Sequence, residues 1–208
     1  VYYFWCIYHK MNRIGILLFS LFLLLNCDNR KRYNNDLTPF QREINDFFKD
    51  ASVSPLKKRD LKNFRGLDFF TYDSTYLVTA KLTKTPKEKP FMMLTTTDMV
   101  VEYIKYGIVS FELLNNLYSL DIYKNLEDPN ERDNLFLPFL DDTNGNESYG
   151  GGRYINLDIP QGDNLIIDFN SAFNPYCVYD EKYSCPIVPR ENYLPLEIKA
   201  GVMDFIDK

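Results

Sequence analysis

The sequence predicts a mainly β protein: a single antiparallel β-sandwich or barrel-like domain with one N-terminal helix. Aromatic residues make up 16% of the chain and nearly all are Tyr and Phe, which are enriched in strands. Short apolar runs recur about every eight to twelve residues, a spacing typical of sandwiches and barrels. No helical pattern of crossover length separates these runs, so a parallel sheet is not expected.

The helix is predicted at the start of the domain and ends near Ala51. Thr38 can act as the N-cap, Pro39 fits the first turn, and Gln41 stands three residues after the cap, as in a capping box. The apolar side chains that share one helical face are Phe40, Ile44, Phe47 and Phe48. We expect this face to pack on the domain, and binding of a partner is the alternative.

Apolar runs and alternation predict the strands. In the first strand, Tyr76, Val78, Ala80 and Leu82 face one way. The later strands are predicted at Phe91–Thr97, Val100–Lys105, Ile108–Leu114, Tyr118–Tyr123, Leu135–Leu140, Tyr154–Ile159 and Leu165–Phe169, with Gly107 as a break. Because Pro138 cannot donate a ladder hydrogen bond, 135–140 is interpreted as an edge strand or an extended buried segment.

The first 36 residues are predicted to contain a targeting signal and a tether. Residues 1–10 do not fit the start of a signal peptide, and we interpret them as a mis-called upstream extension. Residues 11–26 carry a basic start and an apolar core too short for a comfortable membrane span. They resemble a bacterial lipoprotein signal peptide that precedes a lipidated Cys27. Residues 27–36 form the tether and residues 37–208 the domain; a plain signal peptide or an uncleaved anchor is the alternative.

Charge and histidine content exclude several functions. Lys10 and Arg13 are the only charged residues up to Asn26, so removing that segment takes the formal net charge from −5 to −7. An acidic domain without a basic stripe argues against nucleic-acid binding. The only histidine, His9, lies in the predicted extension. The mature protein therefore lacks the base of a Ser-His-Asp or Cys-His system, and we expect no cofactor and no metal.

The candidate site lies in the loops of the last third of the chain. Three glycines precede Arg153 and either aim this side chain at a target or form a flexible turn. Asp168 follows two isoleucines on an apolar strand, and a buried carboxylate needs a partner. We predict that Arg153 is that partner, as a structural ion pair or as the floor of an anion or sugar pocket.

Other loop residues complete the candidate set. The candidates for ligand binding are Gly151, Gly152, Arg153, Asn170, Asn174, Tyr176 and Asn192. The asparagines are equally explained by side-chain hydrogen bonds that tie loop backbones together. Asp168 and Glu191 are the catalytic candidates of a hydrolase hypothesis.

Two further patterns have a structural explanation. Asp142, Asn144 and Asn146 alternate as oxygen donors, but the loop lacks the glycine and the final glutamate of a calcium hand, so a polar turn is preferred. Cys177 and Cys185 enclose seven residues, and outside the cytoplasm a disulfide is the default. Its loop closure would contribute roughly 2–3 kcal/mol. Two buried reduced cysteines or a redox pair are the alternatives.

The same loop motifs carry a family resemblance. The resembling segments are Phe64–Phe70, Leu135–Phe139, Gly150–Tyr154, Ile167–Asn170, Asn174–Cys177, Cys185–Pro186, Glu191–Asn192 and Lys199–Gly201. The chain resembles the bacterial domain-of-unknown-function family 1684 from about Ser54 to its end. This resemblance implies no established activity.

Three functional hypotheses follow. The preferred one is a non-enzymatic lipoprotein, lipid-anchored in the bacterial cell envelope at the periplasmic face or the outer membrane. It would bind a small molecule, a glycan or an envelope partner protein through the candidate loops. The alternatives are a carboxylate-based hydrolase, with or without a metal, and a purely structural lipoprotein. A concave aromatic patch favours binding, whereas two carboxylates in one cleft favour hydrolysis.

Overall fold

The computed structural model describes residues 37–128 and 134–205. The chain is divided into two units, of which the second, Thr38–Lys208, holds the described helices and strands. The predicted extension, signal segment, tether and Cys27 lie outside the described residues. The helices and strands of the second unit are α1 (Pro39–Lys49), α2 (Lys58–Leu61), β1 (Leu77–Lys84), β2 (Phe91–Leu94), β3 (Val100–Leu113), β4 (Asn116–Asn125), β5 (Asn134–Asp141), β6 (Arg153–Asp158), β7 (Asn164–Asp168) and β8 (Tyr193–Leu194).

The strands form one curled sheet with the order β6-β5-β4-β3-β1-β7. Neighbours in this order are antiparallel, β2 adds to β3, and β8 pairs with β5 in parallel. The sheet curls into a half-barrel, and the N-terminal helix α1 precedes it. The predicted fold class, mainly antiparallel β with an N-terminal helix, is therefore confirmed. Of the two predicted forms, sandwich and barrel-like, the curled sheet has the barrel-like one.

Helix α1 begins as the sequence predicts. Thr38 and Gln41 form a reciprocal capping box, with N···O distances of 3.0 and 3.2 Å. Phe48 is buried, and its ring meets the Tyr179 ring edge-on at a centroid distance of 4.7 Å. The helix therefore packs on the domain. No helix in the described part of the chain is both long and apolar enough to cross a membrane.

Strand β3 corrects the prediction of two strands separated by Gly107. It runs unbroken for 14 residues, with a bulge between Lys105 and Gly107. Its first part pairs with β2 and its second part with β1. A Cβ on Gly107 would lie 2.7 Å from the backbone oxygen of Thr83 in β1. The glycine is therefore explained by close backbone approach, not by a strand end.

Strand β5 holds a proline inside the sheet. Pro138 pairs with Tyr154 of β6, and β5 also has β4 and β8 as neighbours. The edge-strand interpretation is therefore wrong, and the buried-segment interpretation is confirmed. Leu135 and Leu137 of this strand join the main aliphatic core, whereas Phe136 joins an aromatic cluster with Tyr154. Because side chains alternate along a strand, β5 buries both of its faces.

Candidate functional site

Gly152 turns the chain so that Arg153 enters the interior. Its φ of +90° lies in a region that side chains rarely adopt. A Cβ on Gly152 would lie 2.6 Å from the backbone oxygen of Phe139. The glycines therefore deliver Arg153 to the first position of β6, where the exposed fraction of its side chain is 0%.

Arg153 pairs with Asp141, not with Asp168, so the predicted pair is wrong. The Arg153 Nη2 atom lies 2.7 Å from Asp141 Oδ2 and 2.8 Å from the backbone oxygen of Ile198, and Nη1 donates to the backbone oxygen of Ala200. Burial lowers the pKa of Arg153, and the Asp141 carboxylate opposes that shift. The guanidinium is thus held within the fold and is not presented to a ligand.

The Asp141 carboxylate is satisfied on both of its oxygens. Its Oδ1 accepts hydrogen bonds from Thr143 N (2.9 Å), Thr143 Oγ1 (2.6 Å) and Ile198 N (3.2 Å). The predicted strand ends at Leu140, so the sequence-based prediction leaves out Asp141, the last residue of β5. The register of the β5–β6 hairpin indicates the role of Asp141, because Phe139 in β5 stands opposite Arg153 in β6. That register brings Asp141 to the same end of the hairpin as Arg153.

Asp168 instead caps a turn at the end of β7. Its Oδ1 accepts hydrogen bonds from the backbone N (3.0 Å) and the Nδ2 (2.9 Å) of Asn170. Asn170 also donates from Nδ2 to the backbone oxygen of Asp73 at 2.9 Å and accepts from Asp73 N at 3.1 Å. Asp168 and Asn170 together fasten the end of β7 to the segment that precedes β1.

The other two candidate asparagines have the same kind of role. Asn192 is fully buried; its Oδ1 accepts from Asp121 N at 2.8 Å, and its Nδ2 donates to the backbone oxygens of Asp121 (2.8 Å) and Pro138 (2.6 Å). Asn174 is buried and donates to the backbone oxygen of Met203 at 2.8 Å. The prediction that these asparagines tie loop backbones together is confirmed.

The structure does not bring the two catalytic candidates together. Asp168 pairs with Leu77 at the start of β1. Glu191 is exposed and directly precedes Asn192, which hydrogen-bonds to Asp121 in β4. The row of Asp121 passes through Ile108 in β3 and reaches β1 at Thr83. Along β1, six residues separate this row from the row of Asp168, or about 20 Å. Because the two carboxylates of a glycosidase stand about 5–10 Å apart, this register does not give Asp168 and Glu191 the geometry of a glycosidase.

The loop at 142–146 is organised by its own hydrogen bonds. Asn144 Oδ1 accepts from Asp141 N at 2.7 Å, and its Nδ2 donates to Ser148 Oγ at 2.8 Å. Asp142 accepts from the hydroxyl of Tyr193. Within residues 37–128 and 134–205, no group of three or more His, Cys, Asp or Glu side chains is placed to hold a metal ion. The polar-turn interpretation describes this loop.

Cys177 and Cys185 lie against each other as free thiols. The backbone N of Cys177 donates a hydrogen bond to the Cys185 sulfur at 3.1 Å. Tyr149, which precedes the glycines, lies close to this pair, so that burial and the neighbouring Cys177 both raise the pKa of its phenol. Gly151 allows this, because a Cβ there would lie 2.5 Å from the Tyr149 ring. The two candidate loops therefore meet at this thiol pair, and the disulfide stays a prediction.

Beside the thiols is a group of rings that we call the aromatic surface: Phe47, Tyr176 and Tyr183. The Tyr176 side chain is 38% exposed. Its ring stacks on Phe47 at a centroid distance of 6.1 Å and meets Tyr183 edge-on at 5.5 Å. Of the residues predicted to bind a ligand, Gly151 and Tyr176 are the exposed ones.

Comparisons with known proteins match the β-rich part of the chain. A family model described as "Protein of unknown function (DUF1684)" matches residues 62–203. The chain is similar to an uncharacterized protein of Haloarcula marismortui, solved by solution NMR, with 34% identity and a TM-score of 0.63. That match covers 78% of this chain and 89% of the other. No curated protein matches the chain.

Proposed function

The chain belongs to this family of proteins of unknown function, and we propose that it is a lipid-anchored binding protein of the bacterial cell envelope. The anchor is Cys27, which follows an apolar run and precedes a polar tether in the sequence. The ligand binds on the aromatic surface, beside the thiol pair at which the glycine loop and the Asn-Pro-Tyr-Cys loop meet.

One observation carries the binding proposal: Tyr176 is exposed although the two residues before it in the loop are buried. Asn174 and Pro175 are buried and hold the loop in place, and Tyr176 follows them. Its ring is kept in position by Phe47 and Tyr183, so little rotamer freedom remains to be lost on binding. A preorganised tyrosine with an apolar face and a polar hydroxyl is typical of binding surfaces.

The charges around this surface favour an uncharged ligand. Lys182 pairs with Asp180 at 3.1 Å, and Lys57 pairs with Glu181. The Lys182 ammonium also lies 4.8 Å from the Tyr183 ring centroid. Since these charges are neutralised in pairs, neither sign dominates the field at the rings. A glycan or an uncharged peptide segment fits such a surface better than an anion does.

The test is native mass spectrometry of the full-length protein, extracted from bacterial membranes in mild detergent. We expect the wild-type protein to carry extra mass that Tyr176→Ala loses. Tyr72→Ala is the matched control, because Tyr72 is 46% exposed at another place on the domain.

The outcomes separate the remaining hypotheses. Extra mass that persists in Tyr176→Ala would contradict the aromatic surface as the binding site. Wild-type protein that carries nothing would favour the purely structural lipoprotein. Mass from a divalent metal ion would favour the metal-dependent hydrolase instead.

A further inference from the structure

The two cysteines differ in accessibility and in how firmly they are held. Cys185 is 6% exposed. Its backbone oxygen accepts a hydrogen bond from Thr96 N at 2.8 Å, and its backbone N donates to the Thr96 side chain, at Oγ1, at 3.1 Å. Cys177 is partly exposed and lies on a turn between Tyr176 and Val178. One thiol is therefore fixed within the protein, and the other can be reached from solvent.

Polar side chains surround the Cys177 sulfur. Those of Cys185, Thr96 and Tyr149 lower the pKa of Cys177 and so favour its thiolate. The phenols of Tyr149 and Tyr154 are the other titratable groups that interact with the pair, and burial raises the pKa of both, so they are neutral at pH 7. Hydrogen-bond donation by neutral groups stabilises a thiolate.

The thiol pKa values agree with this geometry. The hydrogen bond from Cys185 is the main cause that lowers the pKa of Cys177 to about 6, with burial opposing it. The same contact with Cys177, together with burial, raises the pKa of Cys185. The sulfur that solvent can reach is therefore the one whose pKa is lowered, and the buried sulfur is the one whose pKa is raised, which is the asymmetry of a nucleophile and a resolving cysteine.

We propose that Cys177 and Cys185 form a thiol–disulfide exchange site for a disulfide-bonded substrate. The Cys177 thiolate attacks one substrate sulfur, forming a mixed disulfide and releasing the other substrate sulfur as a thiolate. The Cys185 thiol then loses its proton to solvent and attacks the Cys177 sulfur. That step forms the internal disulfide and releases the second substrate thiolate. Over these two steps the protein loses two electrons and the substrate disulfide gains them.

This activity goes beyond ligand binding and does not depend on it. It also differs from a purely structural bridge, which needs neither an exposed partner nor a stabilised thiolate. The seven-residue spacing between the cysteines is no obstacle, because the backbone N–H of Cys177 already holds the Cys185 sulfur beside it. The fold thus achieves in space the proximity that a short Cys-x-x-Cys segment achieves in sequence.

The first experiment measures alkylation by iodoacetamide over a range of pH. The protein is the full chain with Cys6→Ser and Cys27→Ser, so that Cys177 and Cys185 are the only thiols. Peptide mass mapping should show that Cys177 reacts first, with a midpoint near 6, against about 9 for an ordinary thiol. Tyr149→Phe should raise this midpoint, whereas Tyr72→Phe, at an exposed tyrosine outside both proposed sites, should not. First reaction at Cys185, or a midpoint near 9, would overturn the proposal.

The second experiment uses glutathione disulfide as the substrate. The same chain should finish with an internal disulfide and release both halves of the reagent as thiols. Cys185→Ser should stop as a mixed disulfide at Cys177, and Cys177→Ser should lose the reaction. If the internal disulfide stays closed in a large excess of reduced glutathione, the bridge is structural and the proposal fails. That result would leave the aromatic surface untouched as a binding site.

Discussion

The replacement Asp141→Asn tests the buried ion pair directly. The asparagine keeps the shape of the side chain and one oxygen for the Thr143 and Ile198 donors. The other oxygen, Oδ2, is replaced by an NH2 group. This group cannot accept the hydrogen bond from Arg153 Nη2, which lies 2.7 Å from Oδ2. Removing one partner of a fully buried pair costs about 3–5 kcal/mol, because the other charge stays buried and uncompensated.

That cost is a large share of the 5–15 kcal/mol that stabilises a typical domain. For a domain of this size it corresponds to a fall in Tm of about 6–20 °C, at roughly 2–4 °C per kcal/mol. Urea and thermal unfolding followed by circular dichroism would measure it. The double variant Asp141→Leu with Arg153→Met should recover part of the loss, because apolar residues of similar volume can replace a buried pair.

Asp168→Asn is the control that can refute this reasoning. Asp168 accepts from Asn170 and makes no ion pair with Arg153. Its replacement removes a charge but leaves an oxygen to cap the same turn, so we expect a loss below about 1 kcal/mol. A loss as large as that of Asp141→Asn would show that the ion pair has been assigned to the wrong carboxylate.

Four further predictions concern single residues. Gly152→Ala should cost about 2–3 kcal/mol from its positive φ and the clash of a Cβ with the chain, whereas Gly162→Ala, with open space around it, should be neutral in the same unfolding assay. Asn192→Ala should cost about 2–4 kcal/mol in urea unfolding, because it leaves buried backbone groups without partners. Because the pKa of Cys177 is lowered from 9.0 to about 6, the reduced protein should gain stability as pH rises from about 6 to 9; a pH series of urea unfolding should show this gradient, and Cys177→Ser should lose it. Cys27→Ala should move the protein from membranes to the soluble fraction of lysed cells, and retention in the membrane would contradict lipidation.

The features that the sequence predicts well depend on neighbours in the chain. The capping box needs only Thr38 and Gln41, three residues apart, and the burial of Val78, Ala80 and Leu82 follows from alternation alone. The errors all depend on contacts across the sheet. Gly107 is predicted to separate two strands, because the local sequence does not show that the backbone of β1 lies close to this glycine.

The partner of Arg153 shows the same limit for the site. Asp168 is predicted as that partner because it stands in an apolar run. The run correctly indicates that the carboxylate needs hydrogen bonds. Which residue supplies them is decided by register. The β5–β6 hairpin brings Asp141 to Arg153, and the 3₁₀ turn after β7 gives Asp168 its donors from Asn170. Spacing along the chain contains neither fact.

The burial of the motif residues shows what the family resemblance records. Arg153, Asn170, Asn174 and Asn192 all lie inside the protein and bond to backbone or to buried side chains. Residues of this kind identify a scaffold, because their replacement would damage any protein with the same fold, whatever it binds. A function has to be sought where the same loops reach the surface, and in the described part of this chain the ligand-binding candidates that do so are Gly151 and Tyr176.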